Sequence, residues 1–81
     1  MNTDEKLNYM IGCLQIAKDE MDHMAEYHMV ETESHDSMEK RGEYWKYIER
    51  TGKPNKSLVT DNLRNVARIA FKLAREMEHG R

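Results

Sequence analysis

The sequence has few residues that interrupt helices: 81 residues contain 1 proline and 4 glycines. It also has 1 cysteine, so no disulfide can form within the chain. The longest apolar run, Met10 to Leu14, contains a glycine and is too short to cross a membrane. These absences disfavour strand-rich, disulfide-stapled and membrane-spanning proteins. They favour one helical domain over residues 1–81, located in the cytoplasm.

The charges are unevenly distributed along the chain. The formal net charge is -2, but residues 1–49 carry 12 acidic and 5 basic side chains, whereas residues 50–81 carry 3 and 8. Such halves are expected to pair within a hairpin or between subunits, and the basic half can alternatively face an anionic ligand. The acidic half would repel the phosphate backbone, so double-stranded DNA is not an expected partner.

The apolar residues recur at steps of three and four, which predicts three helices over about 3–30, 37–50 and 58–79. Each helix presents one main apolar stripe, and Trp45 is expected to be the largest core side chain. The expected core is Leu7, Met10, Leu14, Ala17, Met21 and Met24 in the first helix, Met38, Trp45 and Ile48 in the second, and Leu63, Val66, Ala70, Leu73 and Met77 in the third.

Cap-forming residues set the expected helix ends. Thr3 is expected to cap the first helix, and the cap-prone segment 31–36 predicts a break or kink. Gly52 is expected to close the second helix, and Ser57 or Thr60 to cap the third. Because no proline interrupts residues 13–51, one long bent helix over 3–50 is the alternative.

The pattern predicts an all-α fold, either an antiparallel helical hairpin or a small three-helix bundle. The first helix also carries a second apolar stripe, which contains Tyr9, Cys13, Ile16 and Tyr27. Because so small a hairpin cannot cover both stripes, we expect a homo-oligomer that uses this second stripe.

The third helix carries a candidate ligand-binding surface. Arg64, Arg68, Phe71 and Arg75 follow the steps of one helical stripe, so three guanidinium groups surround an exposed ring. Guanidinium groups bind phosphate or carboxylate, and an aromatic ring can stack on a base. Tyr9 of another subunit is expected to add a further contact to the ligand. Alternatively, these arginines pair with the acidic residues Asp19, Asp22 and Glu26 of the same or a neighbouring chain.

Histidine and carboxylate spacings offer weaker metal-site candidates. Two Glu-x-x-His motifs occur, at residues 20–23 and 76–79, and both are expected to be solvated surface. His28, Glu31 and His35 would form a two-histidine, one-carboxylate cluster if the first helix were unbroken. No phosphate loop, nucleophile elbow or Cys-x-x-Cys motif is present, so we expect a non-enzyme without a metal or cofactor.

The segment Gly52-Lys-Pro-Asn-Lys-Ser-Leu58, followed by Leu63, Val66 and Ala70, resembles part of a known phage family. It is similar to the second arm of the helical-hairpin proteins that sequester cyclic-nucleotide immune signals, the anti-CBASS sponges. In that family a proline-containing turn opens a helix, and oligomers bind the nucleotide between subunits. The resemblance implies a non-catalytic, oligomeric viral counter-defence protein.

Two functions follow from these observations. The first is an oligomeric helical protein that sequesters a small anion such as a signalling nucleotide at Arg64, Arg68, Phe71, Arg75 and Tyr9. The alternative is an inhibitor or regulator that docks a larger host protein through its helical faces.

Overall fold

A computed structural model describes residues 2–80. Three helices account for almost all of them: α1 (Thr3–Asp36), α2 (Arg41–Thr51) and α3 (Lys56–Gly80). A short 3₁₀ turn, Met38–Lys40, precedes α2. No strand occurs among the described residues, so the expected all-α class is confirmed. No helix within residues 2–80 combines the length and hydropathy needed to cross a bilayer.

The three helices form a hairpin whose second arm is broken. α2 packs against the C-terminal part of α1, where the Tyr27 and Tyr44 hydroxyls are 3.0 Å apart. α3 packs against the N-terminal part, where Lys6 and Glu76 form an ion pair at 3.2 Å. α2 and α3 therefore follow one another along α1, antiparallel to it, and the molecule measures 63 × 18 × 13 Å.

The boundary between α1 and α2 differs from the prediction. α1 continues through the cap-prone segment 31–36, where Ser34 is helical and its hydroxyl donates a hydrogen bond to the Glu31 carbonyl at 2.8 Å. The break comes at Ser37, whose backbone is extended at φ -142° and ψ 124°. Both the expected end at residue 30 and the alternative helix over 3–50 are therefore wrong.

Asparagines, rather than the expected hydroxyl residues, begin α1 and α3. The Glu5 amide donates to Asn2 Oδ1 at 2.8 Å, which makes Asn2 and not Thr3 the cap of α1. The Ser57 amide donates to Asn55 Oδ1 at 3.0 Å, so α3 starts before the expected caps. Gly52 ends α2 as expected, with φ 73°.

The core is the seam between α1 and the broken second arm. Its buried apolar side chains are Met10, Cys13 and Ala17 of α1, Tyr47 of α2, and Val59 and Leu73 of α3. In α1 the seam runs through residues 6, 10, 13, 17, 20, 24 and 27, and in α3 through 59, 62, 66, 69 and 73. This 3-4 spacing keeps one face of each helix on its partner.

The predicted core was partly wrong because the seam lies one stripe away from it. Met10, Ala17, Leu73 and, less deeply, Met24, Ile48 and Val66 are inside as expected. The exposed members of the predicted core are Leu7, Leu14, Met21, Met38, Trp45, Leu63, Ala70 and Met77. Conversely, Cys13 and Tyr27, expected on a free second stripe, contribute to the hairpin seam.

Polar residues in the seam explain this shift. Lys6 and Glu20 occupy seam positions that an apolar pattern would reject, and each has a partner. Lys6 pairs with Glu76, and Glu20 accepts a hydrogen bond from the backbone N–H of Asn55 at 3.0 Å. These contacts offset part of the cost of desolvating the polar groups. In α2, Tyr47 is 5% exposed and takes the core position expected for Trp45, which is 64% exposed.

Candidate functional site

The arginine stripe lies on the outer surface of α3, as the sequence predicts. Arg64, Arg68, Phe71 and Arg75 are all exposed, with Phe71 at 65%. The Arg75 guanidinium carbon lies 5.9 Å from the centre of the Phe71 ring, within range for a cation–π contact. The stripe therefore presents both cations and an aromatic face to solvent.

One member of this stripe also lines a groove between α3 and α1. Tyr9, Asn65, Arg68 and Ile69 surround about 290 Å³ of open space, and we call them the basic groove. An Arg68 guanidinium N–H donates to Asn65 Oδ1 at 3.1 Å, which orients the side chain. Tyr9 belongs to the same chain as Arg68, so no second subunit is needed to bring the two together.

The remaining predicted site residues lie outside the basic groove. Arg75 lines a separate, shallower groove of about 320 Å³ with Lys72, Glu76 and His79. Glu76 brings a carboxylate into that second groove, which makes it less suited to an anion. Arg64 and Phe71 line neither of these two grooves. Of the five predicted residues, the basic groove therefore brings together Tyr9 and Arg68, while Arg75 contacts Phe71 on the outer face of α3.

The expected pairing of α3 arginines with α1 carboxylates is not formed among the described residues. Asp19 accepts a hydrogen bond from Gln15, and Asp22 pairs with Lys18 at 3.0 Å. Arg64 lies 3.7 Å from Asp61 of its own helix, and Arg68 makes no ion pair within residues 2–80. The guanidinium of Arg68 is therefore not neutralised by a carboxylate of the hairpin.

Glu20 and His23 form a polar cluster on α1, opposite the break between α2 and α3. The sequence predicts that both residues are solvated. Glu20 Oε1 is 3.2 Å from His23 Nδ1 and also accepts the Asn55 amide hydrogen bond. The His23 and Tyr47 ring centres are 6.0 Å apart. Glu20 and His23 side chains retain only 16% and 20% exposure, so the prediction that they are solvated is wrong. Through Glu20 this cluster connects the start of α3 to α1.

The predicted metal-ligand spacings do not form a cluster. α1 is unbroken through His28, Glu31 and His35, but both histidines are exposed. Within residues 2–80, no group of three or more His, Cys, Asp or Glu side chains is arranged to hold a metal ion.

No family profile, curated protein or solved structure matches this chain. The basic groove combines a guanidinium fork, an amide, a phenol and an aliphatic side chain. Such a set can bind a phosphate or carboxylate and hold a flat ring beside it.

Proposed function

We propose that the chain is a non-enzymatic, homo-oligomeric binding protein that sequesters an anionic ligand, such as a signalling nucleotide, in the basic groove. The observation that carries this proposal is the position of Arg68. Its guanidinium lines a groove beside Tyr9 and has no carboxylate partner within residues 2–80. The resemblance to phage sponges stays a prediction and leads to the same class of ligand.

Each side chain of the basic groove supplies a different part of nucleotide recognition. Arg68 offers two parallel N–H donors to a phosphate, and the phenol ring of Tyr9 offers a stacking surface for a base. Asn65 adds an amide that both donates and accepts, and Ile69 adds apolar contact. A volume of about 290 Å³ suits one nucleotide or half of a dinucleotide.

The surrounding charge favours an anion as well. Residues 50–81 carry 8 basic and 3 acidic side chains. No ion pair within residues 2–80 joins one of these basic groups to an acidic group of residues 1–49. Arg64 pairs only with Asp61 of its own helix, and Lys72 forms no ion pair within residues 2–80. The net positive charge near the groove therefore attracts anions and speeds their encounter at low salt.

The test is calorimetric titration with inorganic phosphate, a nucleoside monophosphate and a cyclic dinucleotide. We expect Arg68→Ala to weaken binding of the best ligand about tenfold or more, because a charge-assisted hydrogen bond contributes about 1.5–3 kcal/mol. Arg41→Ala is the matched control, since it removes the same charge from an exposed residue at the start of α2, outside the basic groove. Unchanged far-UV circular dichroism would show that both variants keep their helices.

Arg68→Lys distinguishes the bidentate hydrogen bonding of the guanidinium group from its positive charge. It retains the cation but loses the bidentate geometry, so an intermediate affinity is expected. If Arg68→Ala and Arg41→Ala lost the same amount of affinity, the loss would come from net charge alone and would contradict binding in the basic groove. If the wild-type protein bound none of the three anions at low salt, the proposed function would be wrong.

A negative titration would instead favour the alternative, docking of a larger protein. Trp45 carries that alternative, because it is 64% exposed and stacks edge-on against Tyr44 with ring centres 5.4 Å apart. An exposed, oriented tryptophan is typical of residues that dominate protein interfaces.

A further inference from the structure

The hairpin exposes more surface than a compact chain of its size. Its accessible surface is 6558 Å², whereas a folded 9.6 kDa monomer exposes about 5,100 Å². Even the most deeply buried apolar side chain, Ala17, keeps 2% of its surface exposed. The excess is about 1,500 Å², which exceeds the roughly 800 Å² per partner of a standard protein interface.

Much of the exposed apolar surface lies in two parallel stripes. On α1, Leu7, Ile11, Leu14 and Met21 are between 43% and 62% exposed. The stripe on α3 contains no charged residue; its members are Leu63, Ala67, Ala70, Ala74 and Met77, all exposed. We call these two stripes together the apolar face.

Both stripes lie on the same side of the hairpin. In the sequence Tyr9 comes directly before the seam residue Met10, and Asn65 directly before the seam residue Val66. Tyr9 and Asn65 line the same basic groove. Residues that directly precede the seam therefore share one side in these antiparallel helices. Leu14 and Ala70 each directly follow a seam residue, Cys13 and Ile69, so they share the opposite side.

We propose that a second copy of this chain covers the apolar face and completes a four-helix bundle. The two stripes are complementary in size, because α1 offers large side chains such as Leu14 and α3 offers alanines such as Ala70. Across a two-fold axis, α1 of each copy packs on α3 of the other, which brings large side chains into the spaces above small ones.

The one charged residue between the ends of the α1 stripe does not prevent this contact. Lys18 follows Leu14 by one helical turn and forms an ion pair with Asp22 at 3.0 Å. The hydrogen bond that the Lys18 ammonium group donates to Asp22 raises the pKa of Lys18 and so further favours its charged form. Its long aliphatic stem can cover apolar surface while the ammonium group remains at the edge with Asp22.

This assembly deepens the oligomer named in the proposed function and assigns it a face other than the one expected from the sequence. The basic groove lies on the opposite side of each hairpin and stays open in the dimer. Ligand binding by the groove then requires one chain, and the dimer carries two independent sites. That last consequence rests on the proposed function, whereas the dimer itself does not.

The experiment is light scattering after size-exclusion chromatography of the full chain, over a range of concentrations. We expect a wild-type dimer and a monomeric Leu14→Asp variant, with dimerisation weakened about a hundredfold because each interface would bury two uncompensated charges. Ile16→Asp is the matched control: Ile16 is 46% exposed and Leu14 45%, but Ile16 lies on the groove side. Ala70→Arg provides a second disruption, from α3.

Three outcomes would overturn the dimer. They are a wild-type monomer at all concentrations, a Leu14→Asp variant that stays dimeric, and an Ile16→Asp variant that alone dissociates. A wild-type monomer that binds lipid vesicles would assign the apolar face to a membrane surface and would equally overturn it. Circular dichroism of each variant checks that the hairpin remains folded.

The two proposals fail separately. If Leu14→Asp is monomeric and still binds the anion found for the wild type, both stand. If the wild type is a dimer that binds no anion, only the groove's function is wrong. If it is a monomer that binds anions through Arg68, the dimer and the homo-oligomeric part of the proposed function are wrong, and anion binding by the groove stands.

Discussion

Tyr27 and Tyr44 link α1 to α2 through a hydrogen bond between their hydroxyls, 3.0 Å apart. This hydrogen bond, together with desolvation and the negative charge of Glu31, raises the pKa of Tyr27 from 10.0 to about 12. All three effects favour the neutral phenol. The pair is therefore stable at neutral pH and sensitive only to strongly alkaline solution.

The pKa of Tyr27 predicts an alkaline loss of stability. In the unfolded chain Tyr27 loses its proton near pH 10, but in the folded chain near pH 12. Between these values the unfolded state binds fewer protons, so the free energy of unfolding falls as pH rises. A urea titration at pH 9 and pH 11 should show a larger decrease for the wild type than for Tyr27→Phe.

The tyrosinate absorbance of the folded protein provides the direct check. The chain has 4 tyrosines, and Tyr27→Phe should remove the component that titrates near pH 12. Loss of a component near pH 10 instead would contradict the hydrogen-bonded arrangement.

The turn between α2 and α3 depends on Gly52. Its backbone lies at φ 73° and ψ 173°, a region that side chains with a Cβ rarely adopt. The Gly52 amide still donates to the Ile48 carbonyl at 2.7 Å, which closes α2 before the chain turns. The Glu20 carboxylate then accepts a hydrogen bond from the backbone N–H of Asn55, directly before α3 begins.

Gly52→Ala should destabilise the hairpin by about 1–3 kcal/mol because of this backbone conformation. Gly12→Ala is the matched control, since Gly12 lies within α1 and should gain about 0.5–1 kcal/mol. At both positions an added methyl group would meet no atom within 4 Å, so the comparison isolates the backbone. The measurement is the urea concentration at the unfolding midpoint of each variant. Equal midpoints for the two variants would contradict the strained backbone at Gly52.

The helices themselves were largely predictable from the sequence, but the faces that pack were less so. The spacing in α1 places both Leu14 and Cys13 on apolar stripes, 100° apart around one helix. Only the antiparallel approach of α3 decides that Cys13 faces inward. The pairing of Glu20 with Asn55, 35 residues apart, leaves no local pattern that could reveal it.

The hairpin is a rod rather than a globule. Its Cα radius of gyration is 18.5 Å, whereas a compact domain of this length has about 12 Å. Because α2 and α3 lie end to end along α1, the 18 × 13 Å cross-section of the rod contains only two helices. A rod two helices thick leaves one side of every helix without a partner within the chain.

Small-angle X-ray scattering should distinguish the proposed dimer from other assemblies. Packing through the apolar face places two rods side by side, so the mass doubles while the long dimension stays close to 63 Å. End-to-end association would instead nearly double that dimension, and would contradict a lateral bundle. The monomeric Leu14→Asp variant provides the reference curve.

The sequence alone determined the helical class, the close of α2 at Gly52 and the basic stripe of α3, because these depend on residues near one another in the chain. The tertiary structure decided which stripe of each helix faces inward, and that Tyr9 meets Arg68 across the groove. It also decided that Tyr47 and not Trp45 is buried. Those features depend on the register between helices, which is set by contacts between residues far apart in sequence.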